Sequence, residues 1–431
     1  MREVTFSRRA RWGAATVFIW ALAAGGACAQ GAAGPAANAP APVSDSLSDA
    51  IGAGRLLLEA RARYEFVDQA NRVHDAGAAT LRTRLGWETN SWRDLKALIE
   101  FENVSQIGGY DYYDGVHPHG GAPAPNGGYP QVSDPESTEL NRLQVVWSPS
   151  PAFQATLGRQ RIVLDDQRFV GNTGWRQDEV TFDAARLDWR SGKFRATYAY
   201  LAEVNRFLAE AQDWDSDSHL LNAAYAFAEP FTLTGFAYWL DLKQSPANSR
   251  ATYGLRASGR TRMASVGLNY ALTYATQEEY GANPAQIALD YWGGEVSGQF
   301  DIVTLRVAYE SLEGDGVRGF STPLGTLHAF QGWADLFLTT PADGIEDVNF
   351  QINVKPRFWS DRISGLDLTA RWHAFAFERT GADIGAEFDA QAMVAINRHV
   401  TIGIKYADFQ SDIPAAFPDT AKGWFTLEYR Y

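Results

Sequence analysis

The side chains best placed to act on another molecule are cationic and recur at even spacing. Arg61 and Arg63, like Arg82 and Arg84, stand two residues apart, so on an extended strand both members of a pair point the same way. Arg142, Arg186, Arg195, Arg256, Arg306, Arg371, Lys405 and Arg430 occupy similar positions opposite apolar neighbours. Glu59, Glu65, Glu88, Glu100, Glu102, Asp188, Glu310, Asp367, Glu387, Asp389 and Glu428 share that side. Two kinds of chemistry suit such a wall: a paired network that holds strands in register, or a set of uncompensated arginines that selects carboxylated and other anionic solutes. One charge about 10 Å from an anion in water contributes only about 0.4 kcal/mol, and physiological salt screens it over about 8 Å. Selection therefore needs several cations at a narrow neck. Catalytic patterns are poor: His74, His117, His119, His219, His328, His373 and His399 are scattered, and no HExxH, GxSxG or Cys/His spacing occurs. His117, Pro118 and His119 read as a surface turn rather than a metal site, and no metal or other cofactor is expected.

The elements that must carry these side chains are strands. Leu56, Leu58, Ala60, Ala62, Tyr64 and Phe66 alternate with a mostly charged face. The same period of two recurs at Leu81 to Trp87, Leu95 to Phe101, Phe194 to Tyr200, Ala264 to Tyr274, Val303 to Tyr309 and Val400 to Tyr406. About eighteen such segments are expected, each near the roughly 9 to 11 residues of a tilted membrane strand, with sixteen as the alternative count. Short connections are expected at 90–92, 148–151, 191–192, 229–230, 259–261, 359–364 and 397–399. Long ones are expected at 105–138, 164–177, 205–218, 277–286 and 312–345. Alternately short and long connections fit an all-β fold: one transmembrane antiparallel β-barrel with short periplasmic turns and long extracellular loops, closed so that no edge is left. A soluble sandwich also alternates, but its connections need not.

Composition agrees. The 431 residues include 39 Gly, 14 Trp, 18 Tyr and 24 Phe but one Cys and three Met, and mean hydropathy is -0.27. Beyond the first thirty residues nothing is apolar enough for a membrane helix, so a helical membrane protein is excluded. Residues 1–29 have the basic start, apolar run and small-residue exit of a secretory signal, with cleavage expected after Ala29. The run falls short of an anchor helix, and Gly25 disfavours a lipoprotein site at Cys28. The formal charge of -13 becomes -16 without the signal, from 34 basic and 50 acidic residues, which argues against a nucleic-acid partner. Residues 30–54 are rich in Ala, Pro, Gly and Ser and read as a flexible periplasmic leader before a barrel over 55–431. The acids are expected in loops: Asp111, Asp114, Asp134 and Glu136; Asp165, Asp166, Asp178 and Glu179; Asp213, Asp215 and Asp217. They would solvate those loops or bridge divalent cations to lipopolysaccharide.

The stretches TLGRQRI (156–162) and DDQRFVGNTGWRQD (165–178) resemble the alginate export family of outer-membrane barrels. So do GFSTPLGTLHAFQGWAD (319–335), TPADGIED (340–347) and the closing GIKYAD and LEYRY. The resemblance runs from about residue 55 to 431. It implies a monomeric barrel of about eighteen strands, with an arginine-lined, loop-restricted pore that passes anionic uronate polymer. Through the GRQRI stretch it also implies pore roles for Arg159 and Arg161. The alternating aromatic C-terminus, Phe425 to Tyr431, resembles the signal read by the barrel assembly machinery. Outer-membrane lipid, lipopolysaccharide and an anionic saccharide complete the expected partners. The leading functional expectation is a passive outer-membrane channel for alginate-like polyuronate or its oligomers. A general porin for small anions comes second, and a rim-active enzyme or adhesin is the weakest reading.

Overall fold

The computed structural model describes residues 44–116, 128–357 and 363–431. The expected signal peptide, the leader up to residue 43, the His117–His119 turn and residues 359–362 of the 359–364 turn lie outside them. In chain order the strands are β1 (Arg55–Gln69), β2 (Ala76–Glu88), β3 (Leu95–Asp111), β4 (Ser137–Ser150), β5 (Phe153–Gln160), β6 (Thr181–Ser191), β7 (Phe194–Asn205), β8 (Trp214–Ala228) and β9 (Phe231–Leu240). They continue as β10 (Arg250–Met263), β11 (Val266–Glu279), β12 (Ala288–Phe300), β13 (Val303–Leu312), β14 (Ile345–Val354), β15 (Gly365–Ala376), β16 (Asp383–Ala395), β17 (Val400–Ser411) and β18 (Thr420–Arg430). Each pairs antiparallel with its sequence neighbours, and β1 pairs with β18 as well as β2, so one eighteen-stranded sheet closes on itself.

Side-chain alternation decides which face is which. Leu85, Phe101, Leu157, Leu255, Trp372 and Ile404 are exposed on the outside of the ring, a belt that water would not tolerate and hydrocarbon does. Their strand neighbours Arg84, Glu100, Thr156, Arg256, Arg371 and Lys405 point inward. No helix in the described residues is long and apolar enough to cross a membrane; the crossing is made by strands.

Four boundaries differ from the sequence reading. β10 and β11 stay paired as far as Met263 with Val266, so their turn lies at 264–265 rather than 259–261. Pairing of β10 with β9 stops at Ser258, which leaves the end of the β10–β11 hairpin projecting beyond the β8–β9 turn. β3 continues to Asp111 through two register shifts against β2, so the loop after it starts later than residue 105. Asp111, Asp215 and Asp217 lie on strand ends, not in loops. The end of the segment read as a leader forms a short helix, α1 (Leu47–Gly52), capped where Ser46 accepts the Asp49 N–H at 3.1 Å. It docks on the barrel through Trp87 Nε1, which donates to the Ile51 carbonyl, and Asn90 N, which donates to that of Ala50.

The inner wall also departs from expectation, because it is not polar all round. Phe182, Leu201, Leu220, Phe236, Tyr238, Leu240, Phe375 and Phe409 point inward and are buried. They belong to the half of the barrel near the long loops, where they seat two of those loops.

Candidate functional site

The β5–β6 loop (161–180) and the β13–β14 loop (313–344) fold back into the lumen. Both carry apolar residues that their otherwise polar composition hides. Ile162, Leu164, Val170 and Val180 come from the first, and Phe320, Leu324, Trp333 and Phe337 from the second; all pack in one cluster with the wall. Burying each such side chain contributes about 1.5–3 kcal/mol, enough together to hold long loops out of water. The loops also hold each other. Val170 and Leu324 form a bridge, Gly171 N donates to the Leu324 carbonyl at 2.8 Å, and Thr326 N donates to that of Gln167 at 2.9 Å. Gly332 adopts φ +81, and a Cβ there would strike the Glu387 carboxylate. Glu387 in turn accepts the Ala334 N–H at 2.8 Å, so the second loop is pinned to β16.

Most of the expected arginines sit in carboxylate networks. Arg84 contacts Glu102 and lies 3.2 Å from Glu179 and 3.5 Å from Glu59. Arg82 lies 3.1 Å from Glu59 and 3.6 Å from Glu428. Arg142 clasps Glu100 through two nitrogens, at 2.8 and 2.7 Å. Arg159 does the same with Asp183, at 2.7 and 3.0 Å. Arg161 is the first residue of the β5–β6 loop and pairs with Glu179. Burial alone would raise the Glu179 carboxyl, but Arg161 and Arg84 hold it well below the usual carboxylate range. Arg186 pairs with Asp188 at 2.8 Å, Arg306 with Glu295 at 2.8 Å and Arg63 with Asp134 at 3.5 Å. Arg195 forms no ion pair among the described residues, and Arg430 is largely exposed beside Glu428.

Arg61, Arg371 and Lys405 also form no ion pair among the described residues, and each has a different substitute. Arg61 faces Arg82 directly across the β1–β2 pairing, a repulsive placement that is relieved from the lumen. Its guanidinium donates to Gln177 Oε1 at 2.8 Å and to the Gly174 and Arg176 carbonyls, so it anchors the β5–β6 loop. Lys405 Nζ sits 3.6 Å from the Trp333 ring, 4.0 Å from that of Trp175 and 5.5 Å from that of Trp424. It also donates to His328 Nε2, while His328 Nδ1–H donates to Asp335 at 2.7 Å. Burial, together with Lys405 and Arg176, keeps that imidazole neutral, its pKa well below the ordinary value despite Asp335. Trp175 stacks on His328 at 4.4 Å, and Arg176 reaches Asp335 at 2.8 Å. This knot joins both loops to β17 and β18.

Beside the loops a cavity remains open, with Arg256, Arg306 and Arg371 on its wall together with Asp166, Glu295, Glu310 and Asp347. Arg256 lies 2.6 Å from Asp166 of the β5–β6 loop. Arg371 is held by two bonds to Gln351 Oε1, at 3.1 and 2.9 Å, and one to the Ala329 carbonyl at 3.3 Å. Tyr291 and Phe330 supply ring surface. The structure thus brings Arg306 and Arg371 to one space, leaves Arg61, Arg63, Arg82, Arg84, Arg142 and Arg161 in wall and loop-anchoring networks, and puts Arg159 on the outward side of β5 with Leu157 and opposite Leu143, so the expected pore role of Arg159 is not met. Arg168 and Arg176 were missed by the sequence reading. Arg168 is buried against Glu310, Thr322 and Gln331, and links the two loops to β13. The apolar Ile162, Val170 and Val180 around these two arginines were the available signal.

A family model described as alginate export matches residues 57–302. No curated protein matches. Among solved structures, OccAB4 of Acinetobacter baumannii is similar at TM-score 0.68 and 12% identity, over 88% of this chain and 98% of that one. OccK9 (OpdG) of Pseudomonas aeruginosa is similar at TM-score 0.68 and 15% identity, over 88% and 99%. OpdK of the same organism, solved with vanillate, is similar at TM-score 0.66 and 13% identity, over 88% and 99%. At these identities the likeness is one of fold.

Proposed function

The chain belongs to the alginate export family and is a channel of the Gram-negative outer membrane, and from that premise we propose that it passes anionic saccharides, polyuronate strands or their oligomers, through an arginine-lined lumen. The observation that carries this reading is Arg371, a guanidinium that forms no ion pair among the described residues and shares one cavity with Arg256 and Arg306. A uronate carboxylate fits that planar donor, and the neighbouring aromatic rings suit sugar faces. Many of the remaining lumen charges, Arg82, Arg84 and Arg142 among them, are ion-paired and set register and loop position. Planar-bilayer recording tests the proposal: an anion-selective conductance interrupted by oligomannuronate supports it, and a cation-selective pore indifferent to oligomannuronate refutes it.

A second reading, a channel for small carboxylates, is favoured by the two infolded loops, which narrow the space at the arginines. The similar OpdK structure was solved with vanillate, an aromatic acid. Block by small aromatic acids with none by oligomannuronate would favour this alternative.

A further inference from the structure

The chain ahead of β1 is held on the outside of the barrel. Trp87 shares the outward side of β2 with Leu85 and pairs across with the exposed Leu56 of β1; its indole holds the end of α1 through the Ile51 carbonyl at 3.0 Å. Gly54 passes so close to that ring that a Cβ there would strike it. Ser44 N adds a bond to the Ser91 carbonyl of the β2–β3 turn at 2.9 Å. Other outward aromatics stand at the same level: Trp147, Trp189, Tyr225, Phe300 and Tyr429 lie near the short-turn ends of β4, β6, β8, β12 and β18, all exposed. Such a girdle marks the boundary between hydrocarbon and headgroups. Within α1 the sides are sorted. At about 100° per residue Leu47 and Ile51 fall together, 52% and 49% exposed, while Ala50 beside them is buried and Asp49 and Gly52 point away. Helices shorter than about 12–15 residues are marginal in water, so the 6 residues of α1 need support from what they touch.

We propose that α1 is an anchor in the periplasmic leaflet: Leu47 and Ile51 enter the phospholipid between headgroups and acyl chains, while Asp49 stays in water. A lipid surface is the occupant this position selects, because α1 is tied to the girdle through Trp87 and its apolar side continues the belt to which Leu56 and Leu85 belong. Interfacial helices bury their apolar side about 5–10 Å into that boundary. Single leucines scattered on a surface need no partner. Two apolar residues at i and i+4, on a helix docked at the level of the girdle, have one in the leaflet. The anchor immediately precedes β1, the strand that closes the ring against β18, so it fixes the entry of the chain into the barrel on the lipid side rather than across the pore. It depends on the place of the barrel in the membrane and not on what passes through the lumen.

The test places a polarity-sensitive fluorophore on α1 in phospholipid nanodiscs. Leu47→Cys, Ile51→Cys, Asp49→Cys and Gly52→Cys, each in a Cys28→Ala chain, give one thiol per protein for the label. All four side chains are exposed, so none of the labels disturbs packing. The expected result is blue-shifted emission from 47 and 51, quenched at least about twofold more strongly than from 49 and 52 by lipids that carry a nitroxide near the headgroup end of the acyl chain. Water-like emission from all four positions, with quenching no stronger at 47 and 51, overturns the proposal and leaves that side of α1 to water or to a periplasmic protein. A second measurement needs no label. Leu47→Asp combined with Ile51→Asp should speed hydrogen exchange over 47–53 in nanodiscs by about tenfold while β1 and β2 keep their protection. Exchange equal to that of the natural chain would show that the leaflet does not hold α1, which also overturns the anchor.

Discussion

Replacing Arg371 by Gln removes the cavity cation that forms no ion pair among the described residues while keeping a polar side chain. An anion about 5 Å from that guanidinium gains roughly 3 kcal/mol at an effective dielectric of about 20, and under 1 kcal/mol if the site behaves as bulk water. Arg371 is half-buried between Gln351 and the Ala329 carbonyl, so the effective value falls between these limits. A loss of about 1–3 kcal/mol corresponds to roughly 5- to 150-fold in anion occupancy at that point. Reversal potentials across a salt gradient in planar bilayers should therefore show the anion-to-cation permeability ratio falling at least about threefold. Arg371→Lys, which keeps the charge, should retain most of it. An unchanged ratio in Arg371→Gln, with conductance intact, would show that the cavity does not select by charge.

Three further outcomes are expected. Arg84→Met leaves Glu59, Glu102 and Glu179 facing one another without their common partner, and barrel stability should drop by about 3–5 kcal/mol, read as an earlier thermal transition in detergent; an unchanged transition would contradict the network. Leu324→Ala opens the contact between the two infolded loops at a cost of about 2–5 kcal/mol, so single-channel conductance and its noise should both rise, and an identical conductance would mean that the loops do not restrict the pore. Burial, with Glu139 and Glu203 nearby, pushes the Asp213 carboxyl up to about 7 despite the bond it accepts from Arg206 N–H. A raised carboxyl pKa makes the docked loop bind a proton that the undocked loop has released, so docking is strongest below about pH 4, weakens as pH climbs and reaches its minimum above about pH 7. Hydrogen exchange in 206–213, corrected for intrinsic rates, should be faster at pH 8 than at pH 5.5, and Asp213→Asn should remove the difference.

Strand count and inward side were legible because alternation is a local signal: Leu85 outside and Arg84 inside follow from neighbouring residues alone. The turn after β10 was misread because Gly259 and Thr261 look like turn residues, whereas the hairpin is held by its pairing with β11 over a stretch that β9 does not reach. The roles of the arginines were the least legible part. Arg142 and Arg371 look alike in sequence, yet one clasps Glu100 and the other is held by an amide and a carbonyl. That difference depends on strand register and on where a distant loop settles, and neither is written near the arginine itself. The infolding of the loops was hidden for the same reason: Phe320 and Leu324 have no periodicity of their own, and their partners Phe236 and Tyr291 look like ordinary strand positions.

The most direct measurement on the central claim is single-channel recording of the natural chain in a planar bilayer with oligomannuronate. An anion-selective conductance with discrete, concentration-dependent interruptions is predicted. A cation-selective or non-selective conductance that oligomannuronate leaves untouched would contradict the proposal that this barrel passes anionic saccharides.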